Sequence, residues 1–204
     1  MKTLELFAGS CSFSKVAKEL GHETFTTDMT QYGDIDYVVD VLDFDYKAVP
    51  FVPDVIWASP PCTGFSVAAI GHHWTGGKGA YIPKSETAEL GIEIVKKTLE
   101  VVEHYKQLNP NLIWYIENPR GVLRKMPFMQ ALIRHTITYC QYGDSRMKPT
   151  DIWTNDPNWK PRPMCKNGAP CHVAAPRGSK TGTQGIKGVY DRSKIPADLF
   201  REIL

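Results

Sequence analysis

Asp54-Val55-Ile56-Trp57-Ala58-Ser59-Pro60-Pro61-Cys62 is the stretch that decides the fold. Its first five residues are a nearly continuous apolar run, the pattern of a parallel strand buried on both faces. Two prolines follow, and they stiffen the backbone that presents Cys62. Toward the N-terminus, Thr3-Leu4-Glu5-Leu6-Phe7 reads as a short strand that runs into Ala8-Gly9-Ser10. Residues 14–20 then carry Val16, Ala17 and Leu20 at helical spacing, with Gly21 as a stop signal. Short strands are expected at 23–27, 37–41 and 112–116. A long helix is expected over 86–107, where Leu90, Ile94, Leu99, Val102 and Tyr105 share a stripe. A second helix is expected over 127–134, a return to the sheet over 136–141, and a terminal helix over 196–204. This alternation predicts an α/β fold with an open, mostly parallel sheet.

Composition narrows the class. The chain has 204 residues, with 24 Lys and Arg against 22 Asp and Glu, and 42% of its residues are hydrophobic. That is a globular balance, and the near-neutral charge excludes a generic polybasic binder while leaving room for a local basic face. No apolar run approaches the roughly 18 residues of a membrane span. Glu5 breaks the stretch where an export signal needs apolar residues, so secretion is not expected. Five cysteines, an odd and sparse set, then read as reduced thiols in the cytoplasm. The expected division is a catalytic domain over 1–155, a loop-rich basic segment over 156–190, and a C-terminal helix within 191–204 that packs on the first domain.

Three joints sit at strand tips, where ligands of open parallel sheets bind. The first is Phe7-Ala8-Gly9-Ser10, small residues at a strand-to-helix turn. Asp28 and Asp40 lie past the next two strands, placed to accept from ribose hydroxyls and from an adenine amino group; each taken alone is commonly a solvated loop acid. The second joint holds Cys62, a candidate nucleophile if its thiolate is stabilised and otherwise a structural cysteine at a strand end. Residues 64–83 follow it with Gly71, Gly76, Gly77 and Gly79, as a closing loop would. The third is Glu117-Asn118-Pro119, where an acid beside apolar neighbours can keep a raised pKa and donate a proton; the bland alternative is a cap or an ion-paired acid.

A fourth group lies later in the chain. Cys140, Cys165, Cys171 and His172 offer a tetrahedral zinc set in a segment too poor in apolar residues to build a core, though the spacing matches no standard finger. Free thiols and a surface histidine are the alternative. Lys160, Arg162, Lys166, Arg177, Lys180, Lys187 and Arg192, interleaved with Trp153, Trp159 and Tyr190, suit phosphate contact and base reading; a solvated loop is the other reading.

With these residues in order, the chain resembles the DNA (cytosine-5) methyltransferase family. Phe7-Ala8-Gly9-Ser10 looks like its S-adenosylmethionine motif, Pro60-Pro61-Cys62 with Phe65-Ser66 like its nucleophile motif, and Glu117-Asn118-Pro119 like its ENV-type motif with Pro in place of Val. The resemblance implies a Rossmann-like fold, S-adenosylmethionine as cofactor and DNA as partner. It implies Cys62 as nucleophile, Glu117 as proton donor, and a cofactor site that includes Phe7, Ala8, Gly9, Ser10, Asp28, Asp40 and Pro60. The family's QxRxR-type motif is broken here to Arg146-Met147-Lys148, which leaves Arg146 or Lys148 to steady a flipped nucleotide. Its large target-recognition domain is missing, and only residues 156–188 stand in its place. Biological roles such as restriction-modification follow only from that resemblance. Three other readings stay open: a catalytically silent DNA-binding regulator, a Cys–His hydrolase pairing Cys62 with His72 or His73, and C5 modification of another pyrimidine.

Overall fold

Leu4, Leu6, Ile56 and Ala58 are wholly enclosed by protein, as strands covered on both faces require. They lie at the centre of a seven-stranded sheet in our computed structural model, which describes residues 1–76, 80–174, 186 and 188–204. In chain order the strands are β1 (Lys2–Leu6), β2 (Glu23–Asp28), β3 (Tyr37–Val38), β4 (Val55–Ala58), β5 (Trp74–Thr75), β6 (Ile82–Pro83), β7 (Ile113–Pro119), β8 (Arg134–Thr138) and β9 (Pro149–Thr154). The sheet runs β3-β2-β1-β4-β7-β9-β8, and β5 pairs with β6 apart from it. Neighbours from β3 to β7 pair in parallel, whereas β9 runs antiparallel to both β7 and β8. The helices are α1 (Ser12–Glu19), α2 (Ile70–His73), α3 (Glu86–Leu108), α4 (Pro127–Gln130), α5 (Val189–Ser193) and α6 (Ala197–Ile203). The expected α/β architecture, open and mostly parallel, is the one observed. No described helix is long and apolar enough to cross a membrane.

Each face of the sheet has its own core. The stripe on α3 closes one, with Ala88, Val95, Val102 and Tyr105 buried among Leu4, Ile56 and Ile116. Phe13 of α1, Trp57 and Phe200 of α6 close the other, with the Phe200 ring edge-on to both at 5.4 and 4.8 Å between centroids. Edge-to-face rings add to their burial energy, and they explain why the terminal helix docks where it does.

Three expectations need correction. The helix expected over 127–134 ends at Gln130, and Arg134 already belongs to β8. Thr136, Ile137 and Thr138 are β-branched and prefer the extended ladder that β9 offers. The strand expected at 37–41 is reduced to Tyr37–Val38, because Asp40 caps a 3-10 turn over Val41–Asp43. The third point is an omission: β9 was not expected at all, although Thr150, Ile152, Trp153 and Thr154 carry strand propensity. Its buried Asp151 is satisfied by the Arg124 guanidinium and by Thr136 Oγ1 at 2.8 Å.

Glu5 gains a structural role that its strand position conceals. Its carboxylate accepts from the backbone N–H groups of Phe13 and Ser14 at 3.2 and 2.9 Å, and from Ser14 Oγ at 2.6 Å. It therefore caps the first turn of α1 from inside β1, while Cys11 at the N-cap supplies no side-chain cap. Burial outweighs these donors and pushes the Glu5 carboxyl up to about 7. A carboxyl with a raised folded-state pKa stabilises the fold fully below its unfolded value, and this contribution is lost as pH rises through about 7. Denaturant titrations of wild type and Glu5→Gln should therefore diverge. Relative to the variant, wild type should lose on the order of 3 kcal/mol between pH 4.5 and pH 8. Parallel stability curves would contradict the assignment.

Candidate active site

The C-terminal tips of parallel strands share one edge of the sheet, and the motif residues of β1, β4 and β7 gather there. After β1 the backbone reverses sharply: Phe7, Gly9 and Cys11 all take positive φ, at 58°, 47° and 52°. Such a conformation costs a non-glycine residue on the order of 1–3 kcal/mol and persists only where surroundings enforce it. The enforcement is visible. Ala8 N–H donates to Thr27 O at 2.9 Å, Gly9 N–H to Asp28 Oδ2 at 2.9 Å, and Cys11 N–H to Ala8 O at 2.6 Å. Asp28 Oδ1 also accepts from Thr30 N–H at 2.9 Å. The acid thus holds the turn. Ser10 is buried, and its hydroxyl meets that of Ser12 at 2.8 Å. Asp40 is exposed and accepts from Leu42 N–H at 3.0 Å, as a turn cap does. An open cleft of about 540 Å³ adjoins the turn, walled by Gly9, Ser10, Cys11, Lys15, Tyr32 and Tyr190; Cys62 and Glu117 lie outside those walls.

β4 and β7 pair side by side, Ala58 opposite Ile116, so the loops after them leave the sheet together. They are then tied. Asn118 Nδ2 donates to the carbonyl of buried Pro60 at 2.9 Å. Gly121 lies so close to Phe65 that a Cβ there would sit 2.3 Å from the Phe65 carbonyl oxygen, and only glycine fits. Trp74 Nε1–H donates to Gly64 O at 2.6 Å and fixes the far end of the Cys62 loop. Cys62 is exposed at the surface of its loop, yet desolvation of its sulfur pushes the thiol up, and the charge of Glu117 pushes it further, partly offset by Lys148. The nucleophile candidate and the acid candidate therefore feel one another. Asn118 Oδ1 is buried and has no partner among the described residues, which leaves an acceptor free beside the pair.

Lys148 reaches this edge because β9 runs backwards. Antiparallel pairing sets Pro119 opposite Thr150, so the residues just before β9 meet the tip of β7. Lys148 Nζ lies 4.0 Å from Glu117 Oε1 and 4.6 Å from the centre of the Tyr139 ring, on a backbone with φ of 23°. Arg146 is a correction. Only 3% of it is exposed, and its guanidinium bonds Asp144 and the carbonyls of Arg192 and Lys194 at 3.0 and 2.7 Å. It straps residues 192–194 against the body of the protein, and its burial keeps a nucleotide from reaching it. The residue missed from sequence is Tyr139. It is wholly buried at the end of β8, and its hydroxyl donates to Glu117 Oε1 at 2.9 Å. A lone tyrosine after a strand carries no motif; only the β8–β9 pairing aims it at Glu117.

The cysteines and histidine of the fourth group do come together: the ligand atoms of Cys140, Cys165, Cys171 and His172 all lie within 4.8 Å of one another. Of the aromatic residues expected to interleave with basic ones, Tyr190 is exposed, with Lys194 Nζ 5.2 Å from its ring centre, but the two tryptophans are not. Trp153 is a core residue, and Trp159 is buried with its indole N–H on Glu202 at 3.0 Å. Arg162 bonds Glu202 and the carbonyl of Gln141, both at 2.7 Å. Lys160 and Lys166 are exposed, whereas Arg177, Lys180 and Lys187, with Gly77 and Gly79 of the earlier loop, lie outside the described residues. The hydrolase alternative finds no support in its histidines: His73 Nδ1 pairs with Ser85 Oγ at 2.7 Å, and His72 packs edge-on against His73.

The sheet order, the tip-loop edge and the flanking helices define a Rossmann-like methyltransferase fold. A solved Dnmt2 methyltransferase of S. pombe shares it with a TM-score of 0.50 and 14% identity, over 79% of this chain and 52% of that one, so the match spans about half of the larger protein. At the level of sequence, a frog virus 3 protein named "Probable DNA (cytosine-5)-methyltransferase" is 29% identical over 223 residues, covering 100% of this chain and 99% of that protein. The similarity to that one protein thus extends over the whole chain. No protein-family model matches it.

The mutual influence of Cys62 and Glu117 is open to direct measurement. Removing the carboxylate charge in Glu117→Gln should shift the pH profile of Cys62 alkylation, followed by peptide mapping, toward lower pH. An unchanged profile would mean that the two side chains do not share a site.

Proposed function

We propose that this chain is an enzyme that transfers a methyl group from S-adenosylmethionine to C5 of cytosine in DNA, inside the cell, through a covalent bond between Cys62 and C6. The observation that carries the reading is the pairing of two adjacent strands whose tips, tied by the Asn118–Pro60 hydrogen bond, lead to Cys62 on one side and on the other bear Glu117, 4.0 Å from Lys148 Nζ. The full-length similarity to a protein named for that activity supports it.

The turn after β1 suits a small polar ligand. Its backbone is held open at positive φ, Ser10 and Ser12 offer hydroxyls, and a Cβ on Gly9 would sit 3.9–4.0 Å from Phe7 O, Ser193 Oγ and Asp28 Oδ2. In this reading Phe7, Ala8, Gly9 and Ser10 hold the cofactor, with Asp28 on its ribose, Asp40 toward its adenine and Pro60 beside its reactive end. When bound, the cofactor supplies an electrophilic methyl group next to C5.

The chain's own residues do the rest. C6 of a stacked base is shielded, so the cytosine must leave the duplex and enter the edge between the two loops. Cys62 loses its proton to solvent, and its sulfur bonds to C6. Glu117, steadied by Tyr139, gives a proton to N3 as that bond forms, which leaves C5 electron-rich. After methylation, C5 releases its proton to water, the Cys62–C6 bond breaks, and N3 returns its proton to Glu117. Lys148, not Arg146, neutralises charge beside the acid. Residues 156–190 serve as a reduced DNA-recognition segment on the catalytic domain of 1–155. A structural zinc ion on Cys140, Cys165, Cys171 and His172 suits the donor chemistry of that segment.

Incubation with DNA of mixed sequence and methyl-labelled cofactor should label C5 of cytosine. Cys62→Ser should lose this activity by roughly a thousandfold or more while calorimetry still records cofactor binding. A wild-type protein that leaves DNA unlabelled would overturn the reading, and an active Cys62→Ser would overturn the covalent route.

A further inference from the structure

The turn at Tyr139–Tyr142 is a junction of unusual density. Tyr139 points into the active edge, with its hydroxyl on Glu117. Cys140, the next residue, points to the Cys/His cluster. Tyr142 enters the second core and accepts from Arg162 N–H at 3.0 Å. Consecutive side chains of one short turn thus touch the catalytic acid, a metal-ligand set and the core.

The cluster has the dimensions of one tetrahedral ion. Cys140 Sγ lies 3.1 Å from Cys165 Sγ and 3.6 Å from Cys171 Sγ, while His172 Nδ1 lies 3.6 and 3.7 Å from Cys165 Sγ and Cys171 Sγ. Zinc–sulfur bonds of 2.3 Å give tetrahedral edges of about 3.8 Å. Three of the ligands come from residues 165–172, a stretch with no described strand or helix. Among the described residues, and apart from the cluster, Cys165 N–H bonds Thr138 Oγ1 at one end of that stretch and Val173 N–H bonds Ser145 O just past the other, both at 2.9 Å. A metal bound here would supply the order that burial does not.

Resting on the zinc reading above, we propose that the ion is a clasp that fixes the Tyr139–Tyr142 turn and so holds the Tyr139 hydroxyl on Glu117. Tyr139 is then a positioning residue for the acid, and metal loss reaches the active edge through a single peptide unit. Helix α3 packs in the other core and should not respond.

The test uses the full chain. Elemental analysis should find one zinc per wild-type chain, lost in Cys171→Ser and retained in His172→Cys, which keeps four ligands, and in Cys11→Ser, which is outside the cluster. Hydrogen exchange should quicken over 113–119 and 139–142 in metal-free Cys171→Ser, stay at wild-type rate in His172→Cys, and remain unchanged over α3. Tyr139→Phe should keep its zinc yet lower kcat with the KM for cofactor and DNA unchanged. Absence of zinc from wild type would remove the clasp outright. Zinc loss with unaltered exchange at 113–119 and 139–142 would leave a metal site but overturn the coupling. A wild-type protein that holds zinc and shows the exchange response but methylates nothing would support the clasp and sink the enzymatic reading instead.

Discussion

The parallel pairing of β4 with β7 is the constraint on which the site depends. It is a backbone ladder, and Val55, Ile56, Trp57 and Ala58 hold it in register with Ile113 to Ile116 because both strands are enclosed on both faces. A slip of one residue would turn every core side chain to the opposite face. Register therefore fixes, without any direct contact, that the loop bearing Cys62 and the strand end bearing Glu117 emerge as neighbours. The Asn118–Pro60 hydrogen bond and the Gly121–Phe65 approach then lock the two loops to one another. Chemistry borne on rigid strand tips needs little further ordering when substrate arrives.

Electrostatics completes what register begins. Glu117 is 5% exposed. Desolvation of the sulfur, and after it the charge of Glu117, push the Cys62 thiol up, while Lys148, just before β9, opposes them. Glu5 plays a comparable part on the other side of the edge. Its buried carboxyl organises the start of α1, while Asp28 holds the β1 turn in its costly conformation.

Much of this was legible in the sequence, and for identifiable reasons. The apolar runs at 54–58 and 112–116 announce buried parallel strands, and Phe7-Ala8-Gly9-Ser10, Pro60-Pro61-Cys62 and Glu117-Asn118-Pro119 stand at their tips in order. Cys140, Cys165, Cys171 and His172 were legible as a set by residue type alone. What escaped depends on non-local pairing. In β9 the buried Asp151 masks the strand pattern until Arg124 is seen to satisfy it. Without β9, neither the approach of Lys148 to Glu117 nor the aim of Tyr139 can be inferred. Arg146 shows the reverse error. Its place in a basic pattern suggested a ligand contact, but three backbone and side-chain partners, Asp144, Arg192 and Lys194, had prior claim on its guanidinium. Trp153 and Trp159 likewise lie among basic residues in sequence but inside the core in space.

The account stands or falls on a bond between one sulfur and one carbon. Replacing the C5 hydrogen of cytosine by fluorine removes the proton whose departure lets the ring expel sulfur, so a covalent intermediate would be caught. With DNA carrying 5-fluorocytosine and with the methyl donor present, mass spectrometry of digested protein should find the base on the peptide that contains Cys62. Methylation of ordinary cytosine by a protein that yields no such adduct, or an adduct on another residue, would contradict it.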